Sequence, residues 1–155
     1  MTSVTYETPE ATITLPPEYA ADDAEAIDAK AFISGYIDAL FFTEGLYEED
    51  AIYGAHLDDF APDTLDELRE DCLRFVNEHA PLLRAAFVFA ERKGIDYDAE
   101  RAGADLLFTR NRHGAGYWDR GLGAIGDALS ELCRGDTDWP EVTPCMGDDG
   151  RVYFC

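Results

Sequence analysis

Apolar residues follow a helical rhythm through most of this chain and alternate at strand spacing only near its two ends. From Asp23 onward, Ile27, Ala31, Ile33, Tyr36, Ile37, Leu40 and Phe41 trace the face of a long helix that Gly45 ends. A tyrosine-rich acidic loop, 47–61, separates it from a second stripe, Leu65, Leu68, Cys72, Phe75, Val76 and His79. That stripe starts beside Pro62 and Thr64, and Glu67 lies where a glutamate reaches back to complete a capping box on Thr64. Pro81 kinks or restarts the helix, and Leu82, Leu83, Phe87, Val88 and Phe89 continue the apolar face to Gly94. Asp98 caps a shorter helix through Leu106, Leu107 and Phe108, and a last stripe, Trp118, Leu122, Ile125, Leu129 and Leu132, ends at Gly135.

Strand patterns frame these helices. Residues 142–146 and 152–155 flank the turn Gly147 to Gly150 and predict a hairpin. Two strands alone are marginal in water, so the alternating segment Ala11 to Leu15, stopped by Pro16 and Pro17, is the candidate third strand. The fold class expected is mainly helical α+β: four to five helices with a small antiparallel C-terminal hairpin. At 155 residues and 46% hydrophobic content, the chain is expected to form a single globular domain over 1–155, entered through an extended segment, 1–23. No apolar run is long enough to span a membrane, since Ser34, Gly35 and Asp38 interrupt Phe32 to Phe42. The polar start, Met1 to Pro9, shows no secretory signal, and a cytoplasmic protein is expected.

Charge changes this picture most. The formal net charge is -21; residues 1–100 hold 24 Asp and Glu against 6 Lys and Arg, and residues 101–155 hold 9 against 6. A surface so negative repels phosphates, which disfavours nucleic-acid binding through the bulk field and favours a basic protein partner. Candidate interaction residues are Glu48, Glu49, Asp50, Asp58, Asp59, Asp66, Glu67, Glu70 and Asp71. The same acidity also fits a solvated face kept for solubility, or adaptation to salt, to which the preference for arginine over lysine adds.

The four cysteines, Cys72, Cys133, Cys145 and Cys155, show no zinc-ribbon or redox spacing. A two-residue loop at Asp149 and Gly150 pairs Cys145 with Phe154, leaving Cys145 and Cys155 diagonal, so free, mostly buried thiols in a reducing compartment are expected. His56, Asp58 and Asp59 with His113 form only a weak ligand set, and Asp148, Asp149 and Gly150 fit a turn better than a calcium loop. No metal and no cofactor are expected.

One basic island interrupts the acidity. Residues 109–121 read TRNRHGAGYWDRG: Arg110, Arg112 and Arg120 oppose a single Asp119, and Gly114 and Gly116 permit close backbone approach just before a predicted helix. Arg110, Asn111, Arg112, His113, Gly114, Gly116 and Arg120 are therefore the candidate anion-binding set. The pattern lacks the lysine of a phosphate loop and follows no predicted strand, so it is no nucleotide fingerprint. His113 and Asp119 are weak catalytic candidates, without a neighbouring serine or cysteine nucleophile. The competing reading is internal: the arginines answer the chain's own acidic helices, while Tyr117 and Trp118 anchor the last helix.

The island and the terminal GDDGRVY, 147–153, together with Leu57 to Pro62, Leu107 and Phe108, Gly126 and Asp127, resemble a family of small bacteriophage-encoded proteins of unassigned function. The resemblance covers about Ile52 to Tyr153. Where that family typically carries glycine and phenylalanine, this chain has Arg112 and Tyr117, and residues 87–95 are longer. Arg112 therefore argues against a tight turn at that position. The resemblance implies a viral or mobile-element origin, hence the host cytoplasm, and no particular activity.

Three functions follow from these residues. The first is an acidic interaction protein, including a DNA mimic that occupies a host nucleic-acid or defence enzyme with carboxylates in place of phosphates. The second is a small-anion or nucleotide binder built on the island. The third, a hydrolase using His113 and Asp119, asks for a nucleophile or metal that no motif supplies.

Overall fold

The computed structural model describes residues 4–7, 12–15 and 26–155. Among the described residues, five helices and two small antiparallel hairpins make a mainly helical α+β fold. Helix α1, Ala29–Glu44, begins where the Asp28 carboxylate accepts the Ala31 N–H at 3.0 Å and stops at Gly45, whose N–H donates to the Phe41 carbonyl. It is shorter at its start than the apolar rhythm from Asp23 predicts.

Helix α2, Pro62–Glu78, corrects a start signal. The Thr64–Glu67 box does not form, because Pro62 already has a helical φ and no N–H to satisfy, so the helix begins two residues before Thr64, which is buried in the first turn. The capping residue is Ala61, whose own N–H donates to the Val152 carbonyl at 3.0 Å. His79 breaks α2 from α3, Ala80–Lys93; Pro81 sits in the first turn of α3, and Gly94 closes it in a left-handed conformation (φ 71°). Asp98 caps α4, Ala99–Arg110, as expected, accepting the Arg101 N–H. Helix α5, Ala124–Glu131, is shorter than its stripe. Tyr117–Asp119 forms a single 3-10 turn, and Gly121 and Gly123, both at positive φ, keep the chain out of a helix until Ala124.

The core is built on one close crossing and one ring cluster. At the crossing of α1 and α4 the backbones nearly touch: a Cβ on Gly35 would fall 1.8 Å from the Glu100 carbonyl oxygen, and one on Gly103 would fall 1.8 Å from that of Phe32. No side chain fits either place. Phe75 of α2 is the hub of the cluster, with Phe32, Tyr117 and Trp139 rings at 5.9, 6.2 and 5.0 Å between centroids. Around them Leu40, Leu68, Leu83, Leu106 and Leu129 exclude solvent.

Strands β1, Val4–Glu7, and β2, Thr12–Leu15, pair with each other, with β2 lying against α5. The expected third strand therefore does not join the C-terminal hairpin; Ala11, its first predicted residue, lies outside the described residues. The C-terminal hairpin, β3 Pro144–Met146 and β4 Val152–Phe154, instead meets the chain at Phe60, which bridges Val152 in parallel.

The hairpin also overturns the expectation of four free thiols. Gly147 N–H donates to the Arg151 carbonyl and Gly150, at φ 78°, donates to Gly147, which closes a three-residue loop. Cys145 then faces Tyr153 rather than Phe154. Cys155 is still diagonal to Cys145, but the Cα separation is 6.0 Å, inside the range of roughly 4.4–6.8 Å that a disulfide spans, and the two are bonded. Cys72 and Cys133 are free and buried.

Candidate functional site

The basic island is divided between the interior and the surface. Arg110, the last residue of α4, is buried: its Nε donates to the Pro140 carbonyl at 2.8 Å, and its Nη1 to the Tyr36 hydroxyl at 3.2 Å and Asp71 Oδ2 at 3.1 Å. Burial alone would depress this guanidinium; Tyr36 and Asp71 more than offset it and hold it charged. Asn111 works as a backbone substitute, its amide donating to the Val142 carbonyl and accepting the Val142 N–H, both at 2.9 Å. Arg120 grips Asp105 in α4 through Nε at 3.0 Å and Nη2 at 2.8 Å. Asp105 is fully buried and also accepts the Tyr97 hydroxyl at 2.8 Å. Three of the candidate anion-binding residues thus serve the protein's own framework.

The remaining four line or shape the surface. Arg112 is exposed and sits at φ 57°, so the tight turn forms despite the missing glycine. The reason is local: Arg112 and His113 donate their N–H groups to the carbonyls of Thr109 and Phe108 and close the end of α4 with a left-handed residue. Gly114 has open space around its Cα, whereas a Cβ on Gly116 would meet the Trp118 ring at 2.2 Å and Thr109 Oγ1 at 2.6 Å. Gly116 is in extended backbone, so its role is close approach and not unusual φ. Tyr117 is buried, donating its hydroxyl to the Ala102 carbonyl, but the Trp118 indole is 41% exposed and does not anchor the core.

Arg112, His113 and Trp118 meet Ser130, Cys133 and Arg134 around an open pocket of about 470 Å³. Burial pushes the Cys133 thiol up to about 12, so the floor is neutral, and the Ser130 hydroxyl is spent on the Gly126 carbonyl. His113 packs edge-on to Phe108, and its buried Nε2 has no hydrogen-bond partner. Asp119 does not line this pocket, and no hydrogen bond joins it to His113. The pair does not form the dyad a hydrolase requires. Among the described residues no group of three or more His, Cys, Asp or Glu is placed to hold a metal ion.

The acidic candidates also divide. Asp50 accepts the Leu46 and Tyr47 N–H groups, Asp59 accepts that of His56, and Asp71 holds Arg110, so each of the three is occupied locally. Glu48, Glu49, Asp58, Asp66, Glu67 and Glu70 are exposed, without hydrogen bonds or ion pairs from their side chains among the described residues. Sequence reasoning missed what surrounds the first three. Phe42, Leu46, Tyr47 and Tyr53 are exposed by 64, 49, 61 and 51%, and Leu57 by 39%, all within one acidic stretch. Phe42 also lines a groove of about 510 Å³ along the α1–α4 seam that carries Asp38, Asp96, Asp98 and Glu100. The signal was the helix-end position of Phe42 and the tyrosines beyond Gly45, where an apolar side chain has no helix face to bury it.

No family model, no curated protein and no solved structure matches this chain.

Proposed function

We propose that this protein is an interaction module that binds a basic partner protein through the exposed aromatic and acidic surface running from Phe42 to Asp58 and into the α1–α4 groove. The observation that carries this reading is the clustering of solvent-exposed Phe42, Leu46, Tyr47 and Tyr53 beside unpaired Glu48, Glu49 and Asp58. Large apolar side chains gathered on a soluble surface mark contact sites, and aromatic rings among carboxylates suit arginine and lysine, which take a ring face and a carboxylate together. The resemblance to phage-encoded proteins supplies the source of the partner: a host protein with a basic surface, met in the host cytoplasm.

Mimicry of DNA is the narrower form of this reading. Asp63, Asp66, Glu67, Glu70 and Asp71 follow one another along α2, at about one charge per 2.4–3 Å of helix axis given a rise of about 1.5 Å per residue. Duplex DNA carries one per about 1.7 Å. Arg69 and Arg74 dilute the row further, and Asp71 turns to Arg110. The aromatic surface therefore carries the proposal, and α2 contributes long-range attraction.

The test is affinity capture from bacterial lysate with the wild type, a surface variant (Phe42→Ser, Tyr47→Ser, Tyr53→Ser) and a helix variant (Asp66→Asn, Glu67→Gln, Glu70→Gln). All six positions are exposed, so the fold is kept. Basic proteins retained by the wild type, released by salt and depleted about tenfold by the surface variant are expected, in line with aromatic hot spots. The helix variant should bind more slowly and stay bound. Equal recovery by the wild type and the surface variant overturns the proposal. Displacement of the captured partner by duplex DNA would establish the mimic.

A further inference from the structure

We infer that the pocket between the end of α4 and the end of α5 binds a small anion bearing a flat ring, the chemistry of a nucleoside monophosphate, with the ring on Trp118 and the phosphate between Arg112 and Arg134. This inference is independent of the aromatic and acidic surface and is made by different residues.

Three other pockets of this molecule are each lined by at least three carboxylates: Asp28, Glu91 and Asp98 in one, Asp38, Asp96, Asp98 and Glu100 in the next, Glu67, Asp71, Asp138 and Glu141 in the third. No carboxylate lines this one, and two arginines do. In a chain of net charge -21 such a place attracts an anion, since the carboxylates around the other three pockets repel it there. Arg112 has no hydrogen bond or ion pair from its side chain among the described residues, in contrast to Arg110 and Arg120, which are consumed. Arg134 is tied to Glu131 by Nη1, and its other donors have no partner among the described residues. Two forked donors facing one space suit a phosphate or carboxylate.

The pocket volume, about 470 Å³, falls within the range of about 300–1,000 Å³ typical of small-molecule sites. Trp118 is 41% exposed, and its ring lies against Gly116 where a Cβ would not fit. An exposed indole packed on the backbone next to guanidinium groups offers a stacking face. The floor of Ser130 and Cys133 carries no charge, and the one Ser130 hydroxyl proton goes to the Gly126 carbonyl. Arg112 also occupies a left-handed backbone position where glycine would be unstrained. Residues held at such strained positions cluster at ligand sites.

The experiment uses the intact chain with AMP, GMP, CMP and UMP as probes, read by tryptophan fluorescence and thermal stability. Trp139 is buried, so a ligand at this pocket reports through Trp118. At least one monophosphate is expected to quench Trp118, and its nucleoside and inorganic phosphate each to bind about tenfold or more weakly, since each lacks one half of the contact. Arg112→Gly and Arg134→Gln should each weaken binding about tenfold, as for loss of one charge-assisted contact. Glycine is at home at φ 57°, so Arg112→Gly keeps the fold. Absence of binding by all four at millimolar concentration, affinity unchanged by Arg112→Gly, or phosphate binding as tightly as the nucleotides would each overturn the inference.

Discussion

At the scale of single residues, the molecule's main expense is Asp105, a carboxylate with no access to water, held by Arg120 from one side and the Tyr97 hydroxyl from the other. Removing one partner of a buried pair leaves an uncompensated charge. Arg120→Ala is therefore expected to cost about 3 kcal/mol, measured by urea denaturation, and Asp105→Asn with Arg120→Gln less than the sum of the single changes. Arg112→Gly should act the other way and raise stability by about 1 kcal/mol, because the left-handed position no longer strains a Cβ. His79 gives a pH dependence. Burial holds its imidazole below the ordinary range, against the pull of Glu78 and Asp138. A lowered folded value means the unfolded chain takes up the proton first, so this contribution is complete above about pH 6.5 and is lost as pH falls through that value toward the folded one. His79→Phe, which preserves the ring contacts with Phe75 and Trp139, should flatten the fall in urea midpoint over that window. These roles were only partly legible. Arg110, Asn111 and Arg120 stand out in the sequence as a cluster, but their partners lie at Asp71, Val142 and Asp105, and spacing along the chain does not show which charge meets which. Asp105 gave the one cue, an acid inside the run Ala104, Leu106, Leu107.

At the scale of elements, the α1–α4 crossing is the most exacting contact. Gly35→Ala or Gly103→Ala places a methyl group inside a carbonyl's volume and must push the two helices apart; about 3 kcal/mol is expected to be lost, with a broadened thermal transition as the readout. The C-terminal disulfide acts on the unfolded chain. For a sequence separation of 10, chain-entropy arguments give about 2–3 kcal/mol. Reduction, or Cys145→Ser with Cys155→Ser, should lower the urea midpoint by the same amount, and unequal effects would place the bridge elsewhere. Helices α3 and α4 could be read with their caps because Gly94 and Asp98 are local signals that act alone. The start of α2 was misplaced because two local signals competed and Pro62 outweighed Thr64. The end of the hairpin was misplaced because loop length decides register, and Asp148, Asp149 and Gly150 fit a loop of two or of three residues equally on composition. Strand β2 takes its neighbour β1 over the distant hairpin, a choice that alternation within Thr12–Leu15 cannot express.

At the scale of the whole molecule, charge opposes compactness. Raising salt from about 0.1 M to about 1 M shortens the screening length from about 10 Å to about 3 Å, and the midpoint of thermal unfolding is expected to rise with it. A falling midpoint would show that exposed ion pairs such as Arg101–Asp96 outweigh the repulsion. Composition made this balance visible from the start, whereas the division of surface into an acidic aromatic stretch and a carboxylate-free pocket required the fold. Val152 links the two ends of that organisation, since it pairs with Met146 in the hairpin and bridges Phe60, and its carbonyl receives the Ala61 N–H. The acidic aromatic stretch is thus pinned at its far side by a residue made roughly a hundred positions later. During synthesis, a chain whose helices have already formed still lacks this pin until Val152 has cleared the ribosome, so residues 42–60 gain their anchor only after every helix has been made.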